Sequence, residues 1–176
     1  PLYKAFIEAG KDAGYQATDD ICGYRQEGFG VFDMSIENGE RNSTAKAYLD
    51  PARPRKNLTV ITDAQVQKIL FNGNEATGIS YKRANGEIIK IDALKEVILS
   101  AGAVGSPQLL MLSGVGPASH LKDHGISIIA DMPGVGQNLN DHPDFVLKYK
   151  CLEPVSIWPQ TRLVARTFAG IRWLLR

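Results

Sequence analysis

Near the start of the chain, Leu2, Phe6, Ala9 and Ala13 recur at three- and four-residue spacing, which predicts an amphipathic helix that Gly14 stops. From residue 23 to residue 36 aromatic, apolar and glycine residues mix without helical period, so an irregular loop leading into short strands is expected, followed by a turn at Asn38-Gly39. Ser43 and Thr44 can cap a short helix over residues 45–49, which Pro51 and Pro54 should end.

The texture then changes to β-branched alternation. Residues 58–62, 66–71, 76–82 and 87–91 read as strands, with turns at residues 72–74 and at Asn85-Gly86, so three or four strands should form a β-meander. Residues 96–100 form a short apolar run with the character of a strand buried on both faces. It feeds a glycine-rich turn over residues 101–107, in which Pro107 suits the first helical turn and Ser106 an N-terminal cap, and then a helix ending at Ser113-Gly114. A second helix over residues 117–123, a strand over 126–130, a polar loop over 133–143 and a strand over 145–151 complete the prediction.

Composition narrows the function classes. With 44% hydrophobic and 22% charged residues the chain has the balance of an ordinary folded protein, and its formal net charge of +1 provides no field that would draw nucleic acid or an anionic membrane. The short basic group Arg53-Pro54-Arg55-Lys56 reads as a solvated turn. Cys22 and Cys151 lie far apart and outside CxxC spacing, so neither a disulfide framework nor a zinc site is indicated, and a reducing, cytoplasmic compartment is expected. No apolar run approaches the about 18 to 20 residues that span a bilayer. The opening at Pro1 and the closing apolar, basic stretch over residues 172–176 give both ends the look of cut positions, so an internal fragment is expected.

A glycine turn between a buried strand and a helix brings backbone close to a ligand and aims free N–H groups at phosphate or ribose oxygens. Residues 101–107 have that form, although such turns also serve plain packing. The wider run, from Gly102-Ala103-Val104-Gly105-Ser106-Pro107 through paired aliphatics to Ser113-Gly114-Val115-Gly116, closely resembles the second signature of the glucose-methanol-choline (GMC) oxidoreductases. Arg41-Asn42-Ser43-Thr44-Ala45 resembles that family's Arg-x-Ser-Thr-Ala segment, and residues 57–69 resemble its strand pair near the flavin adenine. Gly134-Val135-Gly136-Gln137-Asn138-Leu139-Asn140-Asp141-His142 resembles its Gly-Val-Gly-x-Asn-Leu-x-Asp-His loop. Residues 15–20, 23–30 and 153–156 look most like the bacterial choline-oxidising branch.

The resemblance implies an α/β (α+β) chain: residues 41–137 as part of an FAD-binding domain with a β-meander, flanked by pieces of a mainly antiparallel substrate domain at 1–40 and 138–176. It implies FAD as cofactor and hydride transfer from an alcohol carbon to the flavin, with choline as the small-molecule substrate and betaine aldehyde as product. By the same carry-over Val66 approaches the adenine, Ala101, Gly102 and Ala103 lie along the ribose and diphosphate, and Asn138 and Asp141 belong to the loop joining flavin and substrate domains. The Gly-x-Gly-x-x-Gly turn and the catalytic histidine with its partner are expected outside the chain, the latter beyond Arg176.

Other residues invite chemistry but fit bland roles. His142 reads as structural, and His120 and His124, four apart, read as surface histidines for want of a third metal ligand. Ser106 lies in Gly-Ser-Pro and not in the Gly-x-Ser-x-Gly of a hydrolase elbow. Two alternatives to choline oxidation stand beside it. One is oxidation of another primary alcohol or a sugar; the other is a non-catalytic binding module, distinguished by whether the parent carries the glycine turn and the histidine pair. Nothing in the residues selects between oxygen and a separate electron acceptor.

Overall fold

The computed structural model describes residues 2–146, 148, 150, 152–153, 155 and 158–175. The chain divides into two compact units, one of residues 1–51 with 145–176 and the other of residues 52–144.

In the first unit α1 (Leu2–Asp12) ends as its glycine predicts: Gly14 takes φ +86°, and its N–H donates to the Lys11 carbonyl. Gly10 is buried because the Phe29 ring lies against it; an added Cβ would come within 2.6 Å of that ring. Phe6 and Tyr15 stack on the same ring at centroid distances of 5.2 and 5.4 Å. Strands β1 (Ile36–Glu37) and β2 (Glu40–Arg41) form a hairpin in which Asn38 and Gly39 both have positive φ, the requirement of a type I′ turn.

The helix predicted over residues 45–49 forms as a π-helical turn (Ala45–Leu49) that continues into α2 (Asp50–Ala52), so Pro51 does not end it. Pro51 stands at the start of the α-helical segment, where its missing N–H costs little, and Pro54 follows the true end. Ser43 accepts the Lys46 N–H at 3.3 Å, whereas Thr44 makes no side-chain cap. Lys46 also pairs with Glu40; that hydrogen bond holds the Glu40 carboxyl below, and the Lys46 ammonium above, their ordinary values. A 3-10 turn (Trp158–Thr161) and α5 (Leu163–Leu174) have no counterpart in the predicted elements, although Val164, Phe168, Ile171 and Leu175 carry helical spacing. Phe145, Val146, Lys148 and Lys150 lie in no ladder, so they do not form the strand predicted over 145–151. Leu147, Tyr149 and Cys151 of that stretch, Pro154 and Ser156 of the branch-like stretch, Ile157, and the end positions Pro1 and Arg176 lie outside the described residues.

The second unit is built on the predicted meander: β3 (Ala64–Asn72), β4 (Glu75–Arg83) and β5 (Ile88–Asp92) pair antiparallel with β4 in the centre. Having a neighbour on each edge makes β4 the most buried strand, with Tyr81 only 3% exposed. At Gly78 the β5 chain comes so close that a Cβ would sit 2.2 Å from the Ile91 carbonyl oxygen. The Val66–Tyr81 and Lys68–Ser80 pairs leave Gln67 as the extra residue of a bulge.

Helix α3 (Gly102–Leu112) packs on β3. It starts four residues before Ser106, so the predicted turn over 101–107 is mostly helix and Pro107 lies inside it rather than in the first turn. The small side chains of Ala103 and Gly105 leave room for the proline ring, and the helical partner that Pro107 cannot supply is that of the Ala103 carbonyl. Ser106 acts from within the helix, accepting the Ala101 N–H at 3.0 Å.

Beyond α3, β6 (Val115–Gly116) pairs in parallel with β7 (Ala130–Asp131), and α4 (Ala118–Asp123) connects them. The strand predicted over 126–130 is therefore only the two residues of β7, because Pro117 ends its partner β6 and cannot donate to a ladder. Leu121 on α4 is fully buried, and Asp131 accepts the Ala118 N–H at 2.9 Å to cap that helix. Two further predicted strands, 58–62 and 96–100, lie in no ladder among the described residues. A β-branched run becomes a strand only when a neighbouring chain accepts its backbone.

Candidate functional site

A cleft of about 820 Å³ runs between one side of α3 and the loop over residues 135–140. Ala103, Pro107 and Met111 supply its helical wall, one turn apart from each other along α3. Gly136, with φ +79°, lets the loop run against that wall; its Cβ position is 3.6 Å from Met111 Cε and 3.8 Å from Pro107 Cβ. The described residues lining the cleft carry no charge: aliphatic side chains form the walls, and Gln108, Gln137, Asn138 and Asn140 provide amide groups.

Ala103 and Asn138 meet in this cleft, as two of the residues singled out in the sequence. Asn138 takes φ +56°, which asparagine tolerates, and its carbonyl accepts a 2.7 Å hydrogen bond from Asn140 Nδ2. Ala101 and Gly102 sit just outside the lining at the helix entrance, where Gly102 has φ +85° and no protein atom lies within 4 Å of its Cβ position. Asp141 is also outside the lining; its Oδ1 accepts the His142 N–H at 2.8 Å, a local turn contact. Val66 lies on β3, 36% exposed, and is not part of the cleft.

The arrangement fits an extended ligand with both polar and flat apolar parts. The first turn of an eleven-residue helix offers backbone N–H groups that have no intrahelical partner, and a positive dipole end, to an anionic group. Gly102 leaves open space beside that turn, while the amides can bond neutral heteroatoms.

What fixes α3 in place was not visible as a motif. Ser113, 8% exposed, accepts the Ile69 N–H at 2.8 Å and donates to the Leu109 carbonyl at 2.6 Å, tying the end of α3 to β3. Gly114 is held at φ +92° with its Cβ position 2.5 Å from the Ser127 carbonyl, and it accepts the Ile129 N–H at 2.8 Å. Met111 and Gln137, both in the cleft lining, also went unmarked; their signal was their place inside two glycine-rich stretches. His120 and His124 contact each other edge to face at 4.7 Å, and among the described residues no three His, Cys, Asp or Glu groups gather to hold a metal.

The pattern of the GMC oxidoreductases matches residues 1–144. Over its whole length the chain is 49% identical to an oxygen-dependent choline dehydrogenase of Paraburkholderia phymatum, and over 99% of its length 51% identical to one of Staphylococcus haemolyticus. It spans 31% and 30% of the lengths of those two relatives. Among solved structures, pyridoxine 4-oxidase from Mesorbium loti and an FAD-dependent oxidoreductase from Chaetomium thermophilum are each 33% identical, with a TM-score of 0.66. Each alignment covers 76% of this chain, and 26% and 24% of those two chains respectively. The run from Gly102 to Gly116 that forms α3 and β6, the meander before it and the loop after it thus sit in the setting their resemblance implied, and the chain belongs to the GMC oxidoreductase family.

Proposed function

We propose that this chain is part of the FAD-binding portion of an enzyme that oxidises choline to betaine aldehyde. The observation that carries this reading is identity near one half, maintained along the entire chain, with proteins named for choline oxidation. FAD supplies the chemistry by accepting a hydride from the alcohol carbon.

In this reading residues 41–137 belong to the flavin domain, and 1–40 and 138–176 to the substrate domain. The N–H groups at the start of α3 face the cofactor's negative charge, with Ala101, Gly102 and Ala103 along its ribose and diphosphate. Gly102 keeps the approach clear, and Ser106 holds the entrance by accepting the Ala101 N–H. Val66 meets the adenine edge from β3, and Asn138 and Asp141 carry the chain from the flavin towards the substrate domain. The groups that move the hydroxyl proton belong to the rest of the parent. The helices of the described residues include none long and apolar enough to cross a membrane, and we place the enzyme in the cytoplasm.

A chimera in which this chain replaces the matching stretch of the Paraburkholderia phymatum relative tests the reading. Stopped-flow bleaching of its oxidised flavin should be faster with choline than with the neutral tert-butyl isostere. A quaternary ammonium gains about 0.5 to 2 kcal/mol from each aromatic face that contacts it, and the isostere gains none of this. Equal or faster bleaching by the neutral alcohol rejects choline and leaves flavin-dependent alcohol oxidation standing.

A further inference from the structure

Residues 58–62 and 96–100 have the composition of strands, yet among the described residues no hydrogen bond reaches the backbone of residues 59–61 or 97–100. Backbone groups in folded proteins are paired in all but a few per cent of cases once buried, so two such stretches mark places where pairing is still to come. Their side chains agree: Leu58, Val60 and Ile61 are exposed, and Ile98 is 78% exposed between half-buried Val97 and Leu99. An apolar residue facing water between two inward-facing neighbours is the pattern of a strand covered on its second face.

The scale of exposure points the same way. The chain of 19.2 kDa exposes 15,660 Å². A compact monomer of that mass exposes about 8,400 Å², and even two separate globules of half the mass would together expose only about 10,000 Å². The excess is therefore a property of the units themselves, whatever their relative placement.

We infer that residues 58–62 and 96–100 are docking strands, each completed by an extended segment of the parent polypeptide outside these residues. The inference rests on the reading that the chain is part of a longer oxidoreductase. The occupant follows from three observations together. The curated relatives are about three times as long as the matched stretch, as the 31% coverage requires; both strands offer unpaired backbone; and both lie in the unit that carries the cleft. Pairing there would fix the residue before Ala101, and hence the entrance of α3, from the side opposite Ser113 along the helix. A second copy of this chain is the competing occupant, since open strands also pair edge to edge.

The test is amide hydrogen exchange in the isolated chain and in the chimera described above. Amides of residues 59–61 and 97–100 should exchange at nearly unprotected rates in the isolated chain at every concentration and slow by at least about 100-fold in the chimera. Ile98→Asp should remove that protection at residues 97–100 in the chimera, whereas Leu94→Asp, at a side chain 99% exposed in a turn, should leave it. Equal protection in both proteins, high or low, overturns the inference, as does protection in the isolated chain that rises with its concentration and reveals a self-paired dimer. Protection retained in the Ile98→Asp chimera also overturns it. A chimera with protected strands and no flavin would sink the proposed function and leave the docking strands in place.

Discussion

Strand β4 and the stretch 96–100 are built from similar residues and meet opposite fates. β4 has a partner on each edge and buries Tyr81 to 3% exposure, whereas 96–100 has no ladder among the described residues and leaves Ile98 78% exposed. The difference lies in sequence distance. The meander finds its partners across turns of a few residues, at residues 72–75 and 83–88, so it can close on itself. A strand of a parallel sheet needs a partner a crossover away, and that partner can lie in another part of the protein altogether.

Substitutions can break or sharpen this contrast. The largest loss should come from Tyr81→Ala, which empties a buried site between two ladders and should cost about 3 to 5 kcal/mol in urea unfolding of the isolated chain. Ile98→Ala should change the same measurement by less than about 0.5 kcal/mol, and by about 2 to 5 kcal/mol in the chimera, where its face is covered. Equal costs in the two proteins would show that 96–100 is not a docking strand.

Next in size is Ser113→Ala. It leaves the buried Ile69 N–H without its acceptor and should cost about 1 to 3 kcal/mol, loosening α3 against β3. Gly102→Val forces a β-branched residue into φ +85°, a strain of about 1 to 3 kcal/mol, and fills the open approach. Flavin occupancy of the chimera should therefore fall more with Gly102→Val than with His120→Ala or His124→Ala. Equal flavin content in all three would make the turn mere packing.

The smallest effect belongs to the exposed Glu40–Lys46 pair of the other unit. The carboxyl of Glu40 is held below its ordinary 4.5, so its contribution is complete above that value and fades as the pH falls through the lowered one. The ammonium of Lys46 is held above its ordinary 10.5, so its contribution is complete below that value and is lost as the pH rises through the raised one. Glu40→Gln should shift stability only slightly between those limits, and less still in high salt, because water and ions screen the pair. A large loss that salt does not reduce would mean the pair is structural.

Where structure depends on near neighbours, the sequence was readable. Helix α1, the Asn38-Gly39 hairpin, the three strands of the meander and α4 all announce themselves by period and turn residues within a dozen positions. Helix α3 was misread at its start because Gly102, Gly105 and Pro107 are turn formers by propensity; its tether, through Ser113 to Ile69, spans 44 residues and leaves no local mark. The strands at 58–62 and 96–100 were visible as composition, but pairing is a property of two segments and only one of each pair is present. The site followed the same rule. Ala103 and Asn138, read from two separate motifs, do share a cleft, while Met111 and Gln137 become lining only once the loop lies against the helix.

The central claim is that α3 and the 135–140 loop form one part of a flavin site that the rest of the parent completes. Flavin absorbance after gel filtration, measured on the isolated chain and on the chimera, tests it most directly. Val104 is 68% exposed beside the helix entrance and Val66 36% exposed on β3, so the isolated chain cannot enclose a cofactor as a binding site must. The account predicts stoichiometric flavin in the chimera and none in the isolated chain. Stoichiometric flavin that stays with the isolated chain, or a folded chimera without flavin, would contradict it.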